Sequence, residues 1–245
     1  MVYRSILEDN GKKLVILVDP CKFDSGRLSG LCSAVEQSGI SMIFVGGSLV
    51  KSSVGPVVEM LKSRISLPVV PFPGSPLQLA SNADAVLLLS LISGRNPEFL
   101  IGNHVVSAMM LKESGLEIIP TGYMLVGDGK PTAVEYMSNT RPIPSAKPEL
   151  AVATAVAGEM LGLRVIYMEA GSGANEPVPV KMIKEVKENI SIPLIVGGGI
   201  KDMNTLESVF SSGADVAVVG TAFEEGIPGA GGFGGVVKKF QKTKL

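Results

Sequence analysis

Glycine-rich segments in the last third of the chain have the composition of a phosphate-binding site. They are Gly171-Ser172-Gly173, Gly197-Gly198-Gly199 and Gly220-Thr221, each close behind a short apolar run. Glycine lets backbone N–H groups approach an anion without a Cβ in the way, and a following helix N-terminus adds partial positive charge. We expect phosphate ligands at these segments. The alternative is that the three consecutive glycines only form a tight turn.

Two oxygen donors follow apolar runs near the start of the chain. Asp19 comes after Leu14–Val18, and Ser48 comes after Met42–Val45 and two glycines. A carboxylate and a hydroxyl suit Mg²⁺, which keeps several waters and shares the phosphates of its substrate. The sequence therefore predicts magnesium ligands at Asp19 and Ser48, although both residue types also cap helices and turns. The chain has one histidine, which excludes a His-rich zinc or iron site.

Glu169 is the candidate acid–base residue. It ends the apolar run Val165–Glu169, and Tyr167 shares its face because side chains alternate along a strand. A carboxylate in this position can accept a hydrogen bond from a substrate hydroxyl or take its proton, and the phenol can supply another hydrogen bond. The alternative is a salt bridge between Glu169 and a lysine of a neighbouring loop.

Parallel strands would bring these residues together. Near-continuous apolar runs that alternate with helical patterns are typical of a parallel sheet covered on both faces. Eight strand–helix units in about 240 residues favour an α/β fold, a (β/α)8 TIM barrel, over a doubly wound sheet. We expect a single domain over residues 1–245, with its chemistry at the C-terminal strand ends.

The pattern also predicts where each element lies. Pro71, Pro73 and Pro76 forbid a regular third helix. The predicted strands are Leu14–Val18, Met42–Val45, Val69–Phe72, Ala85–Leu89, Glu117–Gly122, Val165–Glu169, Leu194–Val196 and Val216–Val219. The predicted helices are Arg27–Ser38, Ser48–Arg64, a weak one near Leu77–Ser81, Pro97–Glu113, Pro148–Leu161, Pro179–Glu188, Met203–Ser211 and one after Gly234.

Composition excludes several classes of protein. A net charge of −1 with 18% charged residues argues against duplex nucleic acid as a partner. Residues 1–20 lack a signal-peptide pattern, and no apolar run approaches the roughly 20 residues of a membrane span, so we expect a cytoplasmic protein. Cys21 and Cys32 do not make a disulfide framework. We interpret Cys21 as a spectator and His104 as a surface or interhelix residue.

Taken together, the strand ends resemble the geranylgeranylglyceryl phosphate synthase family of prenyltransferases. The segment Pro120–Val126, with Val134–Thr140 and Pro142–Pro144, is similar to one branch of that family, and the resemblance runs from about residue 14 to residue 241. The motifs that carry it are Asp19-Pro20, Gly46-Gly47-Ser48, Tyr167–Ala174, Gly197-Gly198-Gly199-Ile200 and Gly220-Thr221.

The resemblance implies a Mg²⁺-dependent transfer of a C20 prenyl group from geranylgeranyl diphosphate to sn-glycerol 1-phosphate, in ether phospholipid biosynthesis. It implies Mg²⁺ at Asp19 and Ser48, and Glu169 as the residue that orients the alcohol and accepts its proton. Cys21 departs from the residues familiar after Asp-Pro. The implied ligands of glycerol phosphate are Tyr167, Met168, Glu169, Ala170, Gly171, Ser172, Gly173, Gly198, Gly199, Gly220 and Thr221.

Several alternatives stay open at this point. The donor could be the longer heptaprenyl diphosphate, and a phosphate-binding barrel lyase or isomerase, or a non-catalytic binding barrel, would share the glycines. A prenyl tail needs an apolar trench, for which the broken third helix and Tyr123–Val126 are candidate walls. Lys22 is a candidate donor to the diphosphate. The family implies a homo-oligomer, and a lipid product implies transient membrane contact. The run Gly226–Gly235 is either an anion loop or a flexible connection.

Overall fold

Eight parallel strands form the centre of the computed structural model, which describes residues 1–7, 11–22, 26, 30–32, 35, 39–51, 53–128, 131–220, 235, 237, 239 and 240. The strands are β1 (Lys13–Val18), β2 (Ile40–Val45), β3 (Val69–Pro71), β4 (Ala85–Leu91), β5 (Glu117–Leu125), β6 (Val165–Glu169), β7 (Leu194–Gly197) and β8 (Val216–Val219). Their hydrogen-bonded order is β3-β2-β1-β8-β7-β6-β5-β4.

Asp84 joins the two strands at the ends of this order. Its N–H donates to the carbonyl of Val69 (3.0 Å), and its carboxylate accepts a hydrogen bond from the Val69 N–H (2.8 Å). Since Val69 begins β3 and Asp84 directly precedes β4, these bonds bring the last two strands side by side. The sheet is therefore a nearly closed barrel, which confirms the (β/α)8 prediction.

Alternation along each strand divides the core into two layers. One layer fills the barrel and includes Val15, Phe44, Leu87, Tyr167 and Ile195. The other lies between the barrel and the helices, where strand side chains such as Ile166 and Val196 pack with helix side chains such as Ile183. Both faces of the strands are buried, which explains why their sequences are apolar almost without interruption.

The helices follow the predicted alternation. The third strand is followed only by a short 3-10 turn at Pro76–Gln78, which confirms the irregular third helix, and a π-helical turn at Glu98–Gly102 precedes α3. The helices are α1 (Val2–Leu7), α2 (Gly55–Lys62), α3 (Asn103–Ser114), α4 (Ala133–Ser138), α5 (Pro148–Met160), α6 (Val180–Asn189) and α7 (Met203–Ser211). The predicted helices at 27–38 and after Gly234 lie mostly outside the described residues.

Three elements differ from the sequence prediction. The helix expected from Ser48 begins at Gly55, with Pro56 in its first turn. Helix α4 lies between β5 and α5, where no helix was predicted. Its signal in the sequence is a capping box: the side chains of Thr132 and Glu135 each accept a hydrogen bond from the backbone N–H of the other residue. Strand β5 continues past Gly122, because Tyr123 to Leu125 pair with Tyr167 to Glu169 of β6.

Helix α1, also absent from the prediction, covers the N-terminal end of the barrel. Val2 and Tyr3 are buried in the same cluster as the barrel interior. The carboxylate of Glu117, the first residue of β5, accepts hydrogen bonds from the N–H groups of both residues. The guanidinium of Arg164 lies 3.6 Å from the centre of the Tyr3 ring. The end opposite the predicted site is therefore closed.

No helix in the described part of the chain has the length and apolar character needed to cross a bilayer.

Candidate active site

A cavity of about 550 Å³ opens at the C-terminal ends of the strands. It brings together most of the residues singled out from the sequence: Asp19, Ser48, Tyr167, Glu169, Ser172, Gly173, Gly198, Gly199 and Gly220. Lys22, the candidate donor to a diphosphate, also lines it. Met168, Ala170 and Gly171 do not line the cavity, and the Met168 side chain points into the outer core layer because it alternates with Tyr167 and Glu169. Thr221 and residues 226–234 lie outside the described residues.

Glu169 is buried at the bottom of this cavity. The hydroxyl of Tyr123 donates a 3.0 Å hydrogen bond to its Oε2 atom, and the hydroxyl of Tyr167 donates another. Burial raises the pKa of Glu169 to about 7, while the two phenols act in the opposite direction by favouring the charged form. The partners of Glu169 are thus two phenols rather than a loop lysine, which was the alternative. Its carboxyl can both accept and release a proton near neutral pH.

Aromatic packing holds the two phenols in place. The ring of Phe72 lies 5.1 Å from that of Tyr167 and 5.8 Å from that of Tyr123, both in edge-to-face arrangements. Burial raises the pKa of both tyrosines well above the usual value, and the carboxylate of Glu169 adds to the shift. Both hydroxyls therefore stay protonated and act as donors. The sequence suggested Tyr123 only as a candidate wall of the trench and not as a partner of Glu169, because the fifth strand seemed to end at Gly122.

The backbone segments that follow β6 and β7 pack together beside Glu169, which pairs with Gly197. A Cβ on Gly197 would collide with the hydroxyl of Tyr167. A Cβ on Gly198, where φ is +78°, would lie 2.9 Å from the backbone nitrogens of Ala170 and Gly171. Glycine is therefore required here both for space and for the left-handed conformation. Because Gly198 and Gly199 also line the cavity, this tight turn places backbone where an anion can bind.

Asp19 and Ser48 line the other side of the cavity. The Asp19 carboxylate lies against the Cα of Gly47, where a Cβ would come within 3.3 Å of Oδ2. The N–H of Cys21 donates to its Oδ1 atom at 2.9 Å, which orients the carboxylate. The described residues contain no cluster of three or more His, Cys, Asp or Glu side chains that could enclose a metal ion. The donor set fits a hard cation that takes most of its ligands from water and phosphate.

A second, apolar cavity of about 90 Å³ adjoins the first. Its walls come mainly from the segment after β3, from β4 and from α3, and include Pro76, Leu79, Leu88, Leu91 and Phe99. The two cavities share five residues: Gly47, Ser48, Phe72, Tyr123 and Val134. The broken third helix and Tyr123 thus form part of the trench wall, as considered from the sequence, whereas Met124, Leu125 and Val126 are packed in the core.

His104 contributes to the apolar cavity, although the sequence suggested a surface or interhelix position. Its Nε2 atom lies 2.9 Å from the carbonyl oxygen of Leu89 and 3.4 Å from the hydroxyl of Ser90, both in β4. These contacts hold the imidazole between α3 and the barrel with one ring edge towards the cavity. The sequence pattern does not show that His104 faces the barrel, because a helical histidine beside two valines gives the same periodicity on either face of the helix.

Comparison with known proteins agrees with this geometry. A model of the PcrB family matches residues 8–232. The geranylgeranylglyceryl phosphate synthase of Flavobacterium johnsoniae is 48% identical over 227 residues, covering 91% of this chain and 93% of that protein. The crystal structure of (S)-3-O-geranylgeranylglyceryl phosphate synthase from Thermoplasma acidophilum in complex with sn-glycerol-1-phosphate superimposes with a TM-score of 0.92, at 29% identity and 98% coverage of both chains. The thiamine phosphate pyrophosphorylase of Pyrococcus furiosus, at 15% identity and a TM-score of 0.61, shares the fold.

Proposed function

This chain belongs to the PcrB family, and from that premise we propose that it joins geranylgeranyl diphosphate to sn-glycerol 1-phosphate. The product is an ether, geranylgeranylglyceryl phosphate, made for ether phospholipid biosynthesis, and diphosphate is released. Relatives named for this synthase cover almost the whole chain, among them the protein of Chitinophaga pinensis at 46% identity over 228 residues.

One observation carries the proposal: a polar cavity and an apolar cavity meet beside Glu169. Gly198 and Gly199 line the polar cavity, where their backbone is suited to a phosphate, and the apolar cavity gives the first part of a hydrocarbon tail an apolar surface. Tyr123 lines both cavities and donates to Glu169. The hydroxyl of the first substrate and the allylic carbon of the second would therefore meet at this carboxylate. A lyase or isomerase that acts on a small phosphate ester would have no use for the apolar cavity.

The reaction forms a C–O bond and breaks another. The glycerol hydroxyl oxygen attacks the first carbon of the prenyl chain, the electron pair of the breaking C–O bond leaves with the diphosphate, and Glu169 accepts the hydroxyl proton. A pKa of about 7 places a substantial fraction of Glu169 in the ionised, proton-accepting form at neutral pH. Tyr123 and Tyr167 orient the carboxylate, and the backbone around Gly198 fixes the glycerol phosphate so that its hydroxyl is aligned for attack.

We propose Asp19 and Ser48 as the residues that hold Mg²⁺ together with the diphosphate. When bound, the ion would neutralise the leaving diphosphate and so favour cleavage of the allylic C–O bond. Lys22, which lines the same cavity, supplies a further positive charge on that side. Both proposed ligands are oxygen donors on the side of the cavity that continues into the apolar one, where the diphosphate end of a prenyl substrate would lie.

Incubation with sn-glycerol 1-phosphate and prenyl diphosphates of graded length, followed by mass analysis of the products, tests this function. We expect the C20 ether with Mg²⁺ present, little product with a chelator, and slower transfer from a heptaprenyl donor. Preferential use of the heptaprenyl donor would keep the reaction class and change the substrate. Absence of ether with every donor, with diphosphate release at the blank rate, would contradict the proposal.

We further propose that the protein is a homo-oligomer that uses an apolar face of α3 and the turn before it. Val106 is 75% exposed and Val105 69%, and Ile101, Met109 and Met110 are exposed beside them. An uninterrupted apolar face of this size is unusual on a monomer. A second copy suits it better than a bilayer, since helices that bind lipid surfaces carry several basic residues and α3 has only Lys112. Transient membrane contact stays a prediction.

A further inference from the structure

A buried glutamine ties together the two loops at the junction of the cavities. Gln78 ends the 3-10 turn Pro76–Gln78 and is 4% exposed. Its Nε2 atom donates to the carbonyl oxygen of Gly47 at 2.9 Å. Its Oε1 atom accepts from the N–H of Gly74 at 3.1 Å and from that of Gly47 at 3.5 Å. One side chain thus satisfies backbone groups of the loops that follow β2 and β3.

The amide is the side chain that this position needs. Gly47 presents an acceptor and a donor to it, and Gly74 presents a donor, so the partner must combine N–H and C=O groups in one plane. Rotating the amide by half a turn would set its NH2 group against both backbone N–H groups, which assigns the orientation. An apolar replacement would leave three backbone groups without partners, and burial makes that unfavourable.

The two loops touch at a point where neither has room to move closer. A Cβ on Gly74 would lie 2.9 Å from the carbonyl oxygen of Gly47 and 3.5 Å from the Cα of Ser48. Ser48 lines both cavities, while Gly74, Ser75 and Pro76 line the apolar one. The distance between Ser48, a proposed Mg²⁺ ligand, and the wall of the apolar cavity is therefore set by this contact and by the Gln78 amide.

We propose that Gln78 is a positioning residue for the prenyl diphosphate: it holds the Gly47–Ser48 backbone where a diphosphate can bind while the attached hydrocarbon chain enters the apolar cavity. The inference rests on the proposed prenyl transfer. Gln78 does not line the polar cavity, and the hydrogen bonds of its side chain go to the loops after β2 and β3, not to the glycine-rich backbone around Gly198. Its effect should accordingly be confined to one of the two substrates.

The test compares Gln78→Met, which removes all three hydrogen bonds without adding charge, with the wild type. We expect KM for geranylgeranyl diphosphate to rise about tenfold, as the loss of a net hydrogen bond or two would give, and KM for sn-glycerol 1-phosphate to stay within about twofold. Calorimetry without the second substrate supplies a readout apart from activity: binding of inorganic diphosphate with Mg²⁺ should weaken similarly, and binding of glycerol phosphate should not.

Asn82→Leu is the matched control, because Asn82 also donates from its amide to a backbone carbonyl, that of Gly55 (3.2 Å), but lies outside both cavities. It should change neither KM. If Gln78→Met does not fold, Gly74→Ala serves as the second test, because its Cβ would displace the carbonyl of Gly47 while Gln78 remains in place. It should give the same split between the substrates.

If Gln78→Met loses affinity equally for both substrates, or for neither, the proposed role of Gln78 is wrong. An active wild type would still support the proposed transferase activity. A wild type without transferase activity would instead contradict the proposed function, and the diphosphate and glycerol phosphate binding measurements would then still decide whether Gln78 acts on the diphosphate side alone.

Discussion

The carboxyl of Glu169 combines a buried position with two phenolic donors and a pKa of about 7. Replacing it by Gln keeps the size of the side chain and removes the proton acceptor. We expect kcat of Glu169→Gln to fall by about 10²–10⁴-fold, the range of general acid–base catalysis, with little change in glycerol phosphate affinity because the backbone cradle remains. Steady-state kinetics with the exposed Glu149→Gln as control measures this. Near-normal turnover would refute both the base and the orienting role.

The raised pKa of Glu169 also predicts the direction of the pH profile. If the ionised form accepts the proton as proposed, kcat/KM for glycerol phosphate should increase with pH through an inflection near 7 and level off above it. Glu169→Gln has no carboxyl to titrate and should lose that inflection while keeping any inflection that belongs to the substrate phosphate. A profile of the same shape in both proteins would assign the titration to another group.

Among the described residues that line the polar cavity, Asp19 is the only carboxylate besides Glu169. Asp19→Ala should abolish the Mg²⁺-dependent part of diphosphate binding, measured by calorimetry with and without the metal, and leave glycerol phosphate binding unchanged. Asp128→Ala is the control, because Asp128 is a loop carboxylate that accepts a hydrogen bond from the N–H of Ser145 and does not line either cavity. Undiminished Mg²⁺-dependent binding in Asp19→Ala would remove Asp19 from the metal site.

Among the elements, α1 is held in part by a carboxylate of β5. Glu117 accepts hydrogen bonds from two N–H groups at the helix start, so Glu117→Ala should lower the free energy of unfolding by about 1–2 kcal/mol, the usual value of a lost helix cap. Activity should not change, since α1 lies at the closed end of the barrel. Urea unfolding checks this against Glu113→Ala on the outside of α3. Unchanged stability would show that α1 docks without the cap.

The positions of the strands were predictable from the sequence because both faces of each strand are buried, so that apolar runs mark them directly. The same regularity led to Asp19, Ser48 and Glu169, which stand where those runs end. The contact of Tyr123 with Glu169 was missed because a glycine inside a strand resembles a strand end. In the structure, Gly122 leaves room for the terminal methyl groups of Ile92, Leu163 and Ile166, which pack on its Cα. Gln78 had no sequence signal, since its partners come from a different loop.

On the scale of the whole molecule, the apolar face of α3 decides how copies associate. Val106→Glu would bury a charge in the proposed interface, so light scattering should show a smaller species than the wild type, because an unpaired buried charge is strongly unfavourable. Val180→Glu, which places a charge on the exposed start of α6, should leave the mass unchanged. A monomeric wild type would contradict the proposal, and so would a Val106→Glu variant with the same mass as the wild type. If the wild type is a monomer that co-sediments with vesicles and Val106→Glu does not, the apolar face contacts a bilayer instead.

The shared wall of the two cavities has a consequence for the end of the reaction. Before the chemical step the phosphate-bearing and hydrocarbon-bearing halves are separate molecules, and each can depart alone. Afterwards one molecule occupies both cavities, and dissociation of either half leaves it at high local concentration beside its empty site. We therefore expect the product, which contacts both cavities, to bind more tightly than either substrate alone. Accumulated product should then inhibit the enzyme, and an acceptor for the lipid should relieve that inhibition.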